Sequence, residues 1–232
     1  MKKIVVLFAF LTFLWHSLDA QTVSGTPVRF GIQASPTFSW YTSDRNVINR
    51  NGTNLGLKLQ LVGEFYFQPN YAFTTGLGFA FNHGGTLQFD NAGNYWASSV
   101  EDESLFPFPA GVDLHYMVNY IEIPAGLKLR TREFGYLRYY MEPQLILGIA
   151  ARTRGDVEGL DALNDIEIGD EVNTLGFSWA FGGGLEYNIS ESTSLVGGLY
   201  YQNLFTDISD KDSGDDSKVT LNGITIRIAV LF

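Results

Sequence analysis

Apolar and polar residues alternate along eight stretches of the chain. In the first stretch, the even positions from Val28 to Trp40 are apolar, while the odd positions include Arg29, Gly31 and Gln33. An alternation of period two places the two sets on opposite faces of a β-strand. The eight predicted strands are 28–40, 55–67, 71–83, 116–130, 135–154, 175–187, 193–206 and 219–232.

The two faces of these predicted strands differ in charge. In each strand, the alternate positions that are richer in apolar residues are assigned to one face. These apolar faces carry no charged side chain, whereas the opposite faces carry twelve. A soluble sandwich buries its apolar face and uses shorter strands, but a membrane barrel turns the apolar face to lipid and the polar face inward. The pattern therefore predicts an interior charge network of Arg29, Lys58, Glu64, Glu122, Lys128, Arg130, Arg138, Glu142, Arg152, Arg154, Glu186 and Arg227.

The predicted connections alternate between short and long. The short ones are 68–70, 131–134 and 188–192, and the long ones are 41–54, 84–115, 155–173 and 207–218. Membrane barrels have short periplasmic turns and longer outer loops. The sequence thus predicts an all-β fold, an eight-stranded antiparallel up-and-down transmembrane β-barrel. Aromatic residues near the strand ends fit an interfacial girdle: Trp40, Phe65, Phe67, Tyr71, Phe81, Tyr139, Tyr187 and Phe205.

Two prolines fall inside predicted strands. Pro124 and Pro143 lie in the fourth and fifth strands, where a residue without an N–H removes one hydrogen bond of the ladder. Since a closed barrel has no edge strand to accommodate them, we expect local bulges at both positions.

The amino terminus resembles an export signal. Lys2 and Lys3 precede the apolar run 4–15, and Ala20 offers a small residue before Gln21. Twelve apolar residues are too few to span a bilayer. We therefore expect residues 1–20 to be a cleaved signal peptide and 21–232 to form the outer-membrane barrel domain, which places the protein in the bacterial outer membrane.

Composition excludes several classes of function. The chain of 232 residues has no cysteine, which excludes disulfides, a cysteine nucleophile and a cysteine-anchored lipoprotein. Its net charge of −10 argues against nucleic acid as a partner, because a phosphate backbone requires a basic face. Segments 84–115 and 155–173 hold acidic residues and no Lys or Arg, so the predicted outer loops are acidic.

One strand carries a recognisable motif. The stretch Tyr120–Lys128, YIEIPAGLK, resembles the "Y-[LI]-E-I-P-x-x-L-K" strand of the PorT-like outer-membrane β-barrel domain family, a group of porin-like outer membrane proteins. Phe30–Ala34, the turn region Phe67–Tyr71 and the terminal Phe232 resemble the same family. The resemblance covers roughly 28–232 and implies that a proline in the fourth strand is normal. It also implies an accessory role in secretion, since the family's namesake serves a secretion machinery.

Candidate catalytic and metal-binding residues are few. His83 and His115 bracket a predicted loop, and Asp113 lies nearby in sequence. A serine–histidine–acid enzyme would require such residues close together. The simpler interpretation is that both histidines are polar residues at the membrane interface. Gly176–Ala180 approaches a nucleophile elbow but lies in an unbroken strand pattern. The loop acids could bind calcium, but their spacing fails the EF-hand pattern, and a solvated acidic loop is favoured: Asp207, Asp210, Asp212, Asp215 and Asp216.

These observations favour a protein that is not an enzyme and that needs no cofactor or metal. The leading hypothesis is a structural or interaction component of the outer membrane whose polar interior is plugged, because eight strands enclose only enough space for side chains. The alternatives are a narrow porin-like channel and a membrane enzyme using His83 and His115. Expected partners are outer-membrane lipid, other envelope or secretion proteins at the acidic loops, and the barrel-assembly machinery, which would read Phe232 as a terminal signal.

Overall fold

The computed structural model describes residues 28–160, 163–208 and 218–232, so the predicted signal peptide 1–20 lies outside the described residues. Among the described residues, no helix is long and apolar enough to cross a membrane. The strands of the described residues are β1 (Val28–Ser43), β2 (Ile48–Arg50), β3 (Asn54–Gln68), β4 (Tyr71–Phe89), β5 (Val112–Arg130), β6 (Leu137–Val157), β7 (Ile166–Glu167), β8 (Leu175–Asn188), β9 (Ser194–Leu204) and β10 (Val219–Leu231).

Eight long strands form a closed antiparallel barrel. Each pairs with the next long strand along the chain, and β1 pairs with β10 to close the sheet. The two short strands lie outside this cycle, with β2 paired to β4 and β7 paired to β6. The predicted eight-stranded antiparallel β-barrel is therefore confirmed.

Several strands are longer than the alternation predicted. β4 continues to Phe89 and β5 begins at Val112, so the connection between them is 90–111 rather than 84–115. β6 has 21 residues, about twice the 9–11 that a tilted strand needs to cross a membrane. The barrel wall therefore rises beyond the membrane at the end that carries the long loops.

Two bulges reverse the inward and outward faces in the outer part of the barrel. Between β5 and β6 the pairing steps from Tyr120–Ala150 to Asn119–Arg152, which leaves Ala151 as an extra residue. A single extra residue exchanges the two faces of all residues beyond it. The prediction that Arg152 and Arg154 face the interior is therefore wrong: Arg152 is exposed, and Arg154 pairs with Asp165 in the loop. A matching shift follows Ala80 in β4.

The expected bulges at the prolines are not present. Pro124 pairs in register with Ile146, and Pro143 with Phe181. On the other neighbour of each proline, pairing is interrupted and then resumes in the same register. The missing N–H therefore removes local hydrogen bonds on one side of the strand, without an inserted residue.

The lipid-facing wall is apolar along the membrane-spanning part of the strands. Leu59, Leu61, Phe79, Leu145 and Ile228 all expose more than a third of their side chains on the outer face. Their neighbours of opposite parity face the lumen and are buried or half-buried. The lumen of the described structure has a charged lower part toward the short turns and an apolar upper part toward the long loops.

Candidate functional site: the closed interior

A cluster of buried ions closes the barrel nearest the short turns. The Lys128 ammonium is fully buried and donates to Glu64 at 2.7 Å and to Glu186 at 3.0 Å. Arg29 donates to the other oxygen of Glu186 and also to Ser194. These contacts join β1, β3, β5, β8 and β9 across the lumen. Each buried carboxylate thus has cationic partners, which the low dielectric of the interior requires.

A second group lies further from the short turns. Glu142 on β6 is fully buried and accepts from Arg227, from Tyr200 at 2.6 Å and from Thr74 at 2.6 Å. Gln144 donates to the same carboxylate at 2.7 Å. The group adds β4, β6 and β10 to the connected strands, so every long strand of the barrel contributes to the charged interior.

A third group completes the charged part of the lumen. Lys58 donates to both oxygens of Glu122 at 2.8 Å and to Gln202 at 2.6 Å. The cavity beside these residues has a volume of only about 30 Å³, enough for ordered water and little more. The described residues therefore leave no wide aqueous path at this level.

Two of the predicted interior residues lie at the rim instead of the centre. Arg130 stacks on the Tyr66 ring at 4.0 Å and donates to the Pro69 carbonyl at 2.8 Å. Arg138 is half-buried and pairs with Glu133 at 2.7 Å. The structure thus brings eight of the twelve predicted residues into the buried lumen and two to its mouth. Arg152 and Arg154 lie outside it.

An apolar plug fills the upper lumen, and the sequence analysis missed it. Trp96 and Phe108 from the 90–111 loop are buried among wall residues such as Leu114. Ile168 and Val172 enter the same cluster from the 158–174 loop. The available signal was the continued alternation beyond residue 83, where Leu87 and Phe89 extend the odd-numbered apolar positions of β4. The bulge after Ala80 turns this set from the lipid face to the lumen.

One carboxyl group joins the two long loops. Glu171 is buried and accepts a hydrogen bond from the Ser98 backbone N–H at 2.9 Å. Burial raises the pKa of this carboxyl, and the neighbouring Asp170 adds to the effect. By contrast, hydrogen bonds from Ser104 lower the pKa of the exposed Asp102 carboxyl.

The candidate enzyme residues are not assembled into a triad. His83 is buried against the Tyr120 ring, and its two ring nitrogens have no hydrogen-bond partner among the described residues. His115 contacts Asn54 at 2.8 Å and Asp156 at 3.6 Å. Asp113 instead accepts from Asn51 at 2.8 Å.

The candidate nucleophile elbow and the described part of the candidate calcium-binding loop have structural roles. Ser178 lies in the regular strand β8 and hydrogen-bonds Gln202 at 3.1 Å, so Gly176–Ala180 forms no elbow. Asp207 accepts from the Val219 N–H at 3.0 Å. The other acids of that loop, Asp210, Asp212, Asp215 and Asp216, lie outside the described residues. The described residues contain no group of three acids and histidines that could hold a metal ion.

The chain end lies at the closing seam. Phe232 exchanges two backbone hydrogen bonds with Phe30, at 2.7 Å and 3.3 Å, and exposes 58% of its surface on the lipid face. Leu231 beside it is fully buried. The terminal aromatic therefore lies where the first and last strands meet.

Comparison with known proteins agrees with this architecture. Residues 20–208 match the model of a family described as "Outer membrane protein beta-barrel domain". The chain belongs to this family. Membership places the barrel in the outer membrane, with the short turns on the periplasmic side and the long loops outside. No curated protein shows a significant match.

Solved structures of small membrane barrels are also similar. Neisserial surface protein A is 11% identical with a TM-score of 0.49, and the match covers 89% of this chain and 96% of that one. Ail of Yersinia pestis is 14% identical with a TM-score of 0.39, covering 89% and 100%. OprG of Pseudomonas aeruginosa is 12% identical with a TM-score of 0.41, covering 90% and 99%.

Proposed function

We propose that this outer-membrane barrel is a non-enzymatic structural or interaction component of the cell envelope, and that it acts through its outer loops. The observation that carries the proposal is the double closure of the lumen. Buried ion pairs such as Lys128–Glu64 fill the lower part, and Trp96 and Phe108 help to fill the upper part. A barrel closed twice offers no route for solutes, so the exposed loops are the surface left for recognition.

Two of the outer loops, 90–111 and 158–174, contain acidic residues and no Lys or Arg. Their described part includes the exposed acids Asp90, Glu101, Glu103, Glu158 and Asp170. Because these acids lie on one face, they disfavour an acidic partner and favour a partner whose surface is basic or is bridged by cations. The resemblance of Tyr120–Lys128 to the PorT-like strand supports a narrower proposal, an accessory role in protein secretion, in which the loops contact another envelope protein.

Conductance measurements test the closed interior. The purified protein in a planar bilayer should show no steady conductance at physiological salt. A variant in which 90–111 and 158–173 are replaced by tight turns should lose the apolar plug and remain non-conducting, since the ion pairs lie below it. Steady ion-selective channels from the wild type would contradict the proposal and favour the porin-like channel.

Genetic complementation tests the role of the loops. The loop-shortened barrel should reach the outer membrane and yet fail to rescue a deletion strain. Replacing His83 and His115 together should leave rescue unchanged, since neither residue contributes chemistry in this proposal. Full rescue by the loop-shortened barrel would instead assign the function to the barrel wall, and loss of rescue in the folded histidine variant would favour an enzyme.

A further inference from the structure

A large cavity occupies the periplasmic mouth of the barrel. Its volume is about 690 Å³, within the range of small-molecule binding sites. The walls come from the start of β1, the end of β5 and the three short turns. Arg29 and Tyr66 line its inner end, and the buried ion pairs of Glu64 and Glu186 lie behind them. The cavity is therefore a pocket that opens toward the periplasm and ends inside the barrel.

The lining has an excess of positive charge. Four arginines and two glutamates face the cavity, Arg29, Arg130, Arg132 and Arg138 against Glu133 and Glu191. The lining thus carries a formal charge of +2. This mouth is opposite in sign to the acidic outer loops. Because an enclosed wall concentrates the field of its charges, the cavity attracts anions.

Two of these arginines have donors to spare. One carboxylate oxygen of Glu186 accepts from Arg29 and the other from Lys128. The contact from Arg130 Nη1 to Glu186 Oε1 is long, at 3.4 Å. The Arg132 guanidinium makes no hydrogen bond or ion pair with the described residues, although it lines the cavity. By contrast, Arg138 is paired with Glu133. The unpaired capacity is therefore concentrated on Arg130 and Arg132.

We propose that this mouth binds a small phosphate monoester, held by Arg130 and Arg132 from the periplasmic side. A phosphate monoester carries a charge of about −1.5 to −2 near neutral pH, which matches the excess charge of the lining. Guanidinium groups bind phosphate oxygens through paired N–H donors. Asn70, Asn188 and Ser190 line the same cavity and provide polar groups for the hydroxyls of a polyol or sugar. The site is independent of any role of the outer loops.

Titration calorimetry with glycerol 3-phosphate tests the site on the full-length barrel in uncharged detergent. Binding should be saturable, should weaken with added salt and should be absent with glycerol. Arg132→Gln should weaken binding roughly tenfold, as the loss of a charged hydrogen bond does. The double substitution R130Q/R132Q should abolish it. Arg152→Gln makes the same charge change on the exposed outer part of β6 and should bind as the wild type does.

The folded state of each variant can be checked by heat-modified electrophoretic migration. Equal affinities of folded Arg132→Gln and Arg152→Gln would overturn the proposal, as would the absence of saturable binding to the wild type. Nanodiscs distinguish a soluble ligand from a lipid headgroup. If phosphatidic acid competes with glycerol 3-phosphate, the headgroup is the ligand source; equal affinity in phosphatidic acid and phosphatidylcholine discs supports a soluble monoester.

Discussion

Lys128 shows how a single residue can hold the lower lumen closed. Its ammonium is fully buried between Glu64 and Glu186, and it also lies 4.8 Å from the centre of the Tyr140 ring. Removing one partner of a buried ion group leaves the others unpaired at low dielectric. Glu186 then keeps Arg29 and the more distant Arg130 as cationic neighbours, whereas Glu64 loses the ammonium that pairs with it.

Lys128→Met should therefore destabilise the barrel by about 3–5 kcal/mol. Urea unfolding in lipid vesicles measures this free energy. Arg138→Met removes a cation from the half-exposed pair with Glu133 at the rim and should cost at most about 1 kcal/mol. Similar losses in the two variants would show that the buried cluster contributes little to stability.

Adjacent residues of β3 test the two faces of the wall. Leu59 faces lipid, whereas Gln60 lies beside the interior cavity near Lys58 and Arg227. Leu59→Asp should cost on the order of 2 kcal/mol, since an acid at the midplane is penalised somewhat less than a cation. Gln60→Asp gains two cationic neighbours and should be tolerated. Equal unfolding free energies in lipid would contradict the assigned faces.

The charged lumen could be predicted at the scale of residues, because apolar lipid and a polar interior impose opposite requirements on alternate positions. Arg29, Glu142 and Arg227 follow that rule directly. Arg152 and Arg154 do not, since the rule requires an unbroken register and the extra Ala151 lies just before them. The partner of each ion could not be predicted, because partners come from strands far apart in sequence.

At the scale of elements, Ala151 sets the face of the outer part of β6. It is the residue that has no partner on β5 where the pairing shifts. Beyond it, Thr153, Gly155 and Val157 point into the apolar plug, and Trp96 packs against Gly155. The plug therefore depends on the count of residues in this strand as well as on their identity.

Deleting both Ala150 and Ala151 should consequently loosen the apolar plug. Regular alternation from Ile149 would then turn Arg152 and Arg154 inward, where unpaired charges are costly. Hydrogen exchange should become faster in the 90–111 loop while the strands near the short turns stay protected. Deleting Ala151 alone removes the bulge, keeps Thr153, Gly155 and Val157 inward, and should leave exchange nearly unchanged. Unaltered exchange after the double deletion would mean that the strand can shift elsewhere to restore its register.

The strand ends and the prolines were harder to predict, for a physical reason. In β4 the alternation is interrupted after Phe81 by Asn82, His83 and two glycines, and it resumes only at Leu87, beyond the bulge. Its continuation to Phe89 was therefore assigned to a loop. Pro124 was expected to need a bulge, but a strand can lose pairing with one neighbour and keep its register with both.

At the scale of the whole molecule, Phe232 joins the end of the chain to its beginning. Deleting it removes two backbone hydrogen bonds with Phe30 and one aromatic side chain from the lipid face. The truncated protein should reach the outer membrane in lower amounts with unchanged synthesis, as cell fractionation would measure. Phe232→Tyr keeps length and aromatic character and should accumulate normally. Full membrane levels of the truncated chain would reduce Phe232 to a lipid contact.

The seam between β1 and β10 also governs when folding can finish. Gly31 pairs with Leu231, so the contact that closes the cylinder joins residues about 200 positions apart. Until the last strand arrives, β1 exposes an open edge whose peptide groups cannot enter hydrocarbon unpaired. The barrel therefore cannot be completed strand by strand as the chain is exported. Closure must wait until the last strand is available, so the seam between β1 and β10 is among the last parts of the wall to form.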